Sequence, residues 1–140
     1  MASRMITRLS PKNSVLFVCD MQERFSKTIA YFPAIVQTAK RLVDAARILD
    51  IPIVVTEQYP KGLGHTVPEL GLADEKKYPK TRCNYFRKYA FKQMDRAGAV
   101  LTTSECVVLG LLQDASHPKF KEVQKLILEP APDVGLVSKM

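Results

Sequence analysis

The run Ser14-Val-Leu-Phe-Val-Cys-Asp20 is unbroken in its hydrophobicity and stops on an acid. Continuity rather than alternation predicts a strand covered on both faces, as in a parallel sheet held between helices. From Pro33 to Leu49 the apolar residues Ile35, Val36, Ala39, Leu42, Val43, Ala46 and Leu49 recur at helical spacing, and Pro33 suits a first turn. Asp50 and Pro52 break that helix. Ile51-Pro-Ile-Val-Val-Thr56 then reads as a second buried strand, rich in β-branched residues. Strand, helix and strand of these lengths make a βαβ unit and predict an α/β fold.

Glu57 to Lys80 carries loop chemistry, with Pro60, Gly62, Gly64, Pro68, Gly71 and Pro79 and little periodicity. A long loop that leaves the C-terminal end of a strand is a place where function concentrates. A helix is expected from Tyr85 to Ala97, stopped by Gly98, and a third strand at Ala99-Val-Leu-Thr-Thr103. Helices should follow from Ser104 to Leu112 and from Pro118 to Leu128, the latter ended by Pro130-Ala-Pro132. Three strands make a small sheet for this length.

At 140 residues, 46% apolar and 25% charged, the chain suits one globular domain and excludes disorder as its main state. No apolar run is long enough to cross a bilayer, so no membrane role is expected. The net charge of +7 gathers at Arg4, Arg8 and Lys12, then at Lys76, Lys77, Lys80, Arg82, Arg87, Lys88 and Lys92, and again at Lys119, Lys121 and Lys125. With no Trp and no nucleic-acid-binding motif beside them, these charges read as a solvated basic face rather than a specific nucleic-acid surface. Cys19, Cys83 and Cys106 are too widely spaced for a disulfide framework and point to a reducing, cytoplasmic compartment. The basic, acid-free N-terminus and the final Ser138-Lys139-Met140 give the mitochondrion and the peroxisome as alternatives. Residues 1–13 are expected to be a flexible basic arm ahead of a domain over 14–140. His65 and His117 lie far apart, so a zinc site has no support.

In open α/β sheets, ligands bind beyond the carboxyl ends of the strands. Asp20-Met-Gln22 follows the first strand and Glu57-Gln-Tyr-Pro60 the second, and neighbouring strands would set both on one rim. An acid in such a place serves as general acid or base if burial raises its pKa, while a nearby lysine holds it ionised. The plainer reading is an Asp that accepts N–H bonds from the following turn.

Residues 15–25 (Val-Leu-Phe-Val-Cys-Asp-Met-Gln-Glu-Arg-Phe), 55–64 (Val-Thr-Glu-Gln-Tyr-Pro-Lys-Gly-Leu-Gly) and 79–81 (Pro-Lys-Thr) shift that weighting. With Thr-Thr-Ser-Glu at 102–105 and the stretch 117–127, they resemble the isochorismatase-like, or cysteine hydrolase, superfamily over nearly the whole chain from Ser14. The resemblance is to the eukaryotic isochorismatase domain-containing proteins in particular. It implies a three-layer Rossmann-like fold with a mostly parallel sheet, a small-molecule substrate and no cofactor, and it allows a homo-oligomer. It also implies a hydrolase that uses an Asp at the end of the first strand, a Lys after the third and a Cys nucleophile at a later strand-to-helix turn.

The Asp carries over to Asp20 and the Lys to Lys80. Gln22, Phe25, Gln58 and Tyr59 are candidates to line a substrate cleft, and as readily pack the loops. The Cys does not carry over. Lys80-Thr81 runs almost directly into Arg82-Cys83-Asn84-Tyr85, which resembles a later helix of the family, so central strands, a helix and the nucleophile elbow look deleted. Cys19 is expected in the core and Cys106 at an ordinary apolar helix position. Cys83, near Lys80 and a helix start, is expected to be structural or incidental. Nicotinamidase-type relatives hold a metal through Asp-x-His, where this chain reads Glu57-Gln58-Tyr59, so no metal is expected. The expectation is an impaired or inactive hydrolase; the alternative is a non-catalytic splice form or fragment acting through protein interaction.

Overall fold

The computed structural model describes residues 9–81, 94–100 and 102–132. Strand β1 (Leu16–Cys19) leads through a 3-10 turn (Glu23–Lys27) into helix α1 (Phe32–Ile48) and on to strand β2 (Ile53–Gln58). A short helix α2 (Pro60–Leu63) and a 3-10 turn (Pro68–Leu70) precede strand β3 (Lys77–Lys80). Helices α3 (Ser104–Leu112) and α4 (Phe120–Ile127) follow. The three strands run parallel in the order β1-β2-β3, with Cys19 opposite Thr56 and Gln58 opposite Lys80. The fold is α/β, and the predicted βαβ unit is its centre.

The third strand differs from the prediction. Ala99, Val100, Thr102 and Thr103 lie outside any strand, and Leu101 is outside the described residues. Lys77-Tyr-Pro-Lys80 pairs with β2 instead, within the stretch expected to be loop. Little apolar signal marks it, because it is an edge strand formed by backbone pairing, where a proline such as Pro79 is tolerated. Of the helix expected over 85–97, residues 85–93 lie outside the described residues. Its stop is as expected: Gly98 has φ +89°, and the N–H groups of Gly98 and Ala99 bond to the carbonyls of Asp95 (3.0 Å) and Met94 (2.9 Å).

Helix α1 joins two apolar clusters. Its Phe32, Val36 and Val43 pack with Val18, Val55, Val67, Leu70 and Leu72, while Ala45 and Ala46 meet Leu49, Ile51, Val108, Leu111, Leu112 and Val123. Each of the Val, Leu, Ile and Phe side chains contributes about 1.5–3 kcal/mol on full burial. The end of α1 is tied down by Lys119, whose ammonium contacts the Ile48 carbonyl and pairs with Asp50 at 2.8 Å, a cation suited to a helix C-terminus. Buried Arg41 pairs with Glu105 of α3 at 2.6 Å and donates to the Glu129 carbonyl at 3.0 Å.

A second correction concerns coverage of the sheet. Side chains alternate across strands, so Phe17 and Cys19 share a face with Val54, Thr56, Tyr78 and Lys80. That face is open: Phe17 is 60% exposed, Tyr78 47%, and Cys19 is exposed rather than in the core. Among the described residues the buried face is the opposite one, with Val18 and Val55. The unbroken apolar run predicted two covered faces, but among the described residues α1 covers one, and α3 and α4 pack against α1 rather than across the sheet.

Candidate active site

β1 ends by a backbone reversal. Asp20 has φ +56°, a left-handed conformation that Asp tolerates better than most residues, and its N–H still bonds to the Thr56 carbonyl at 3.0 Å. Tyr59, the residue after β2, also has positive φ (+39°), and its N–H bonds to the Lys80 carbonyl at 2.8 Å. Two left-handed residues thus end neighbouring strands at one rim. A bulky aromatic in that conformation is uncommon and marks a locally strained turn. The turn requires glycine beside it, since a Cβ on Gly62 would fall 2.3 Å from the Tyr59 ring.

Asp20 and Lys80 meet at this rim. They come from the two outer strands, and the long Lys80 side chain reaches back over β2 to place its Nζ 2.8 Å from Asp20 Oδ2. The other carboxylate oxygen, Oδ1, accepts a hydrogen bond from the Thr56 hydroxyl at 3.1 Å. Both side chains keep partial access to solvent, on the open side of the sheet. Thr56 was not singled out by sequence; the signal was the strand register, which seats it directly opposite Cys19 and beside the end of β1.

The cleft candidates separate. Gln22 is fully buried; its Nε2 donates to the carbonyls of Gln58 (2.9 Å) and Gly64 (2.6 Å), and its Oε1 accepts from the Gln58 N–H at 2.7 Å. It holds the rim together from within. Phe25 is partly buried and packs against the first apolar cluster. Tyr59 is exposed at the rim, and Gln58 is half-buried beside it, with an Oε1 that has no hydrogen-bond partner among the described residues.

On the other face of β2, buried Glu57 accepts from the Thr66 N–H (2.8 Å) and hydroxyl (2.9 Å), and lies 3.2 Å from His65 Nδ1. Burial opposes ionisation of Glu57, but these bonds outweigh it and hold the carboxyl below its ordinary 4.5. Sequence spacing hid His65, which the loop folds back onto Glu57. Among the described residues no three His, Cys, Asp or Glu side chains converge as a metal-binding group.

Cys83 lies outside the described residues. Cys106, expected at an apolar position, is exposed at the start of α3, where the Thr103 and Thr102 hydroxyls hold its thiol below the usual value. Neither Cys19 nor Cys106 contacts Asp20 or Lys80 through any hydrogen bond.

A family model described as the isochorismatase domain matches residues 14–86. Isochorismatase domain-containing protein 2 of Xenopus laevis is 42% identical over 191 aligned residues, covering 96% of this chain and 93% of that protein. The Homo sapiens protein of the same name is 38% identical, covering 93% and 90%. Among solved structures, the MAR1 ribonuclease of Caenorhabditis elegans superposes with a TM-score of 0.85 at 44% identity, covering 94% of this chain and 97% of that one.

Proposed function

Because the chain belongs to the isochorismatase domain family, we propose that it is a small-molecule hydrolase scaffold that keeps the proton-handling pair Asp20 and Lys80 but lacks the thiol nucleophile. The observation that carries this reading is the 2.8 Å contact between Lys80 Nζ and Asp20 Oδ2, braced by Thr56. A thiolate hydrolase needs a nucleophile within reach of its acid–base partner and N–H donors aimed at the developing oxyanion. Among the described residues the rim offers the Asp20 carboxylate, the Lys80 ammonium and the Thr56 hydroxyl, with no thiol bonded to them. The alignment with the Xenopus relative is longer than the 140-residue chain, so that relative carries residues with no counterpart here, in keeping with a missing nucleophile segment.

Thiol-dependent hydrolysis is therefore weak or absent, and any remaining turnover is proton transfer by Asp20. A hydrolase screen tests this with the wild type and the Asp20→Asn and Cys83→Ser variants. Turnover lost in the Asp20 variant and kept in the Cys83 variant supports the reading; activity lost in the Cys83 variant alone overturns it. RNA belongs in the screen, because the nematode neighbour is named a ribonuclease and this chain carries a net charge of +7.

A second reading is a non-catalytic product that acts through protein contacts. It draws support from the open sheet face, where Phe17 is 60% exposed.

A further inference from the structure

A groove of about 490 Å³ lies away from the Asp20–Lys80 rim, between the turn over Glu23–Lys27, the first half of α1 and the turn at Pro68–Leu70. Its volume falls within the span of roughly 300–1,000 Å³ typical of small-ligand sites. The floor is apolar, formed by Phe32, Val36 and Val67, all buried side chains of the first cluster. These are set by rigid elements: Val67 N–H bonds to the Met21 carbonyl at 2.8 Å, and the Glu23 N–H to the His65 carbonyl at 3.0 Å.

The charges at the mouth are Glu23, Glu69 and Lys40. Lys40 is paired with Asp44 one turn further along α1. Glu69 has no ion-pair partner among the described residues, and the Glu23 carboxylate accepts one long bond, from the His65 N–H at 3.4 Å. On a chain of net charge +7, the uncompensated charges at this groove are thus both carboxylates. The sign is local and opposite to that of the whole molecule. An anion is disfavoured here, and a neutral apolar molecule gains nothing from the two acids.

We propose that this groove is a binding site for a small primary amine with a flat apolar body: the body covers Phe32, Val36 and Val67, and the ammonium lies between Glu23 and Glu69. The site is separate from the proposed hydrolytic rim, since none of Asp20, Thr56 or Lys80 lines it. It does not depend on the chain having any hydrolase activity.

The test titrates the full chain with phenethylammonium, with 2-phenylethanol and phenylacetate as neutral and anionic matches, read by amide chemical shifts. Saturable shifts at Val36 and Val67 are expected with the amine, about fivefold tighter than with the alcohol, and none with phenylacetate. The double variant Glu23→Gln/Glu69→Gln should lower amine affinity to that of the alcohol while its melting temperature stays within that of the parent, as both side chains are exposed. Equal binding of amine and alcohol, binding unmoved in the double variant, tighter binding of phenylacetate, shifts centred on Asp20, or no saturation would each overturn the proposal.

Discussion

At the scale of single residues, the rim depends on groups whose roles differ although their sequence neighbourhoods look alike. Gln22 and Gln58 are both amides at strand ends, yet only Gln22 is sealed inside with its hydrogen bonds committed to backbone. Gln22→Leu keeps the volume but strands the Gln58 N–H and two carbonyls. The expected cost is about 2–4 kcal/mol, read as a lower midpoint in urea denaturation. Asp20 tests backbone and side chain separately. Asn also tolerates the left-handed region, so Asp20→Asn should lose the ion pair to Lys80 at a cost of no more than about 1 kcal/mol. Asp20→Ala should cost about 1 kcal/mol more, because it adds the strain of φ +56°. Equal melting curves for the two variants would refute a backbone contribution. Asp20 and Lys80 were legible in sequence through the segments at 15–25 and 79–81. Thr56 was not, because its hydroxyl finds Asp20 only once β1 and β2 are in register.

Elements owe their stability here to a few polar ties as well as to apolar packing. The loop after β2 is closed by Glu57, which holds Thr66 and His65. Its carboxyl is held below the ordinary 4.5, so in acid the unfolded chain takes up this proton before the folded one. The stabilisation is whole above that ordinary value and is lost as pH falls through the lower folded value. Thermal melting followed from neutral pH into acid should therefore show a falling limb below about pH 4.5 that is shallower in Glu57→Gln. The variant itself should be less stable at neutral pH. An unchanged acid limb would show that other carboxylates govern it. At this scale β1, α1, β2 and α4 could be read from apolar spacing, and α3 from Ser104 and Glu105 at its start. β3 could not, since Lys77-Tyr-Pro-Lys80 has no apolar pattern and exists by pairing with β2.

Across the whole molecule, the imbalance lies between the two sides of the sheet. One side carries α1 and the buried valines; the other leaves Phe17, Cys19 and Tyr78 in contact with solvent. Exposed apolar strands invite association. Phe17→Lys with Tyr78→Lys should lower self-association in light scattering without lowering the melting temperature, because neither side chain is in the core. A drop of several degrees would mean that the face is covered in solution. The sequence by itself determined the α/β class, the βαβ centre, the family and the Asp20–Lys80 pair, since apolar periodicity and local motifs are written along the chain. Only the tertiary structure decided that the third strand is β3, that Gln22 is a buried clamp, that His65 meets Glu57 and that one sheet face stays open. Each of these depends on which distant segments come together, and one-dimensional spacing does not encode that.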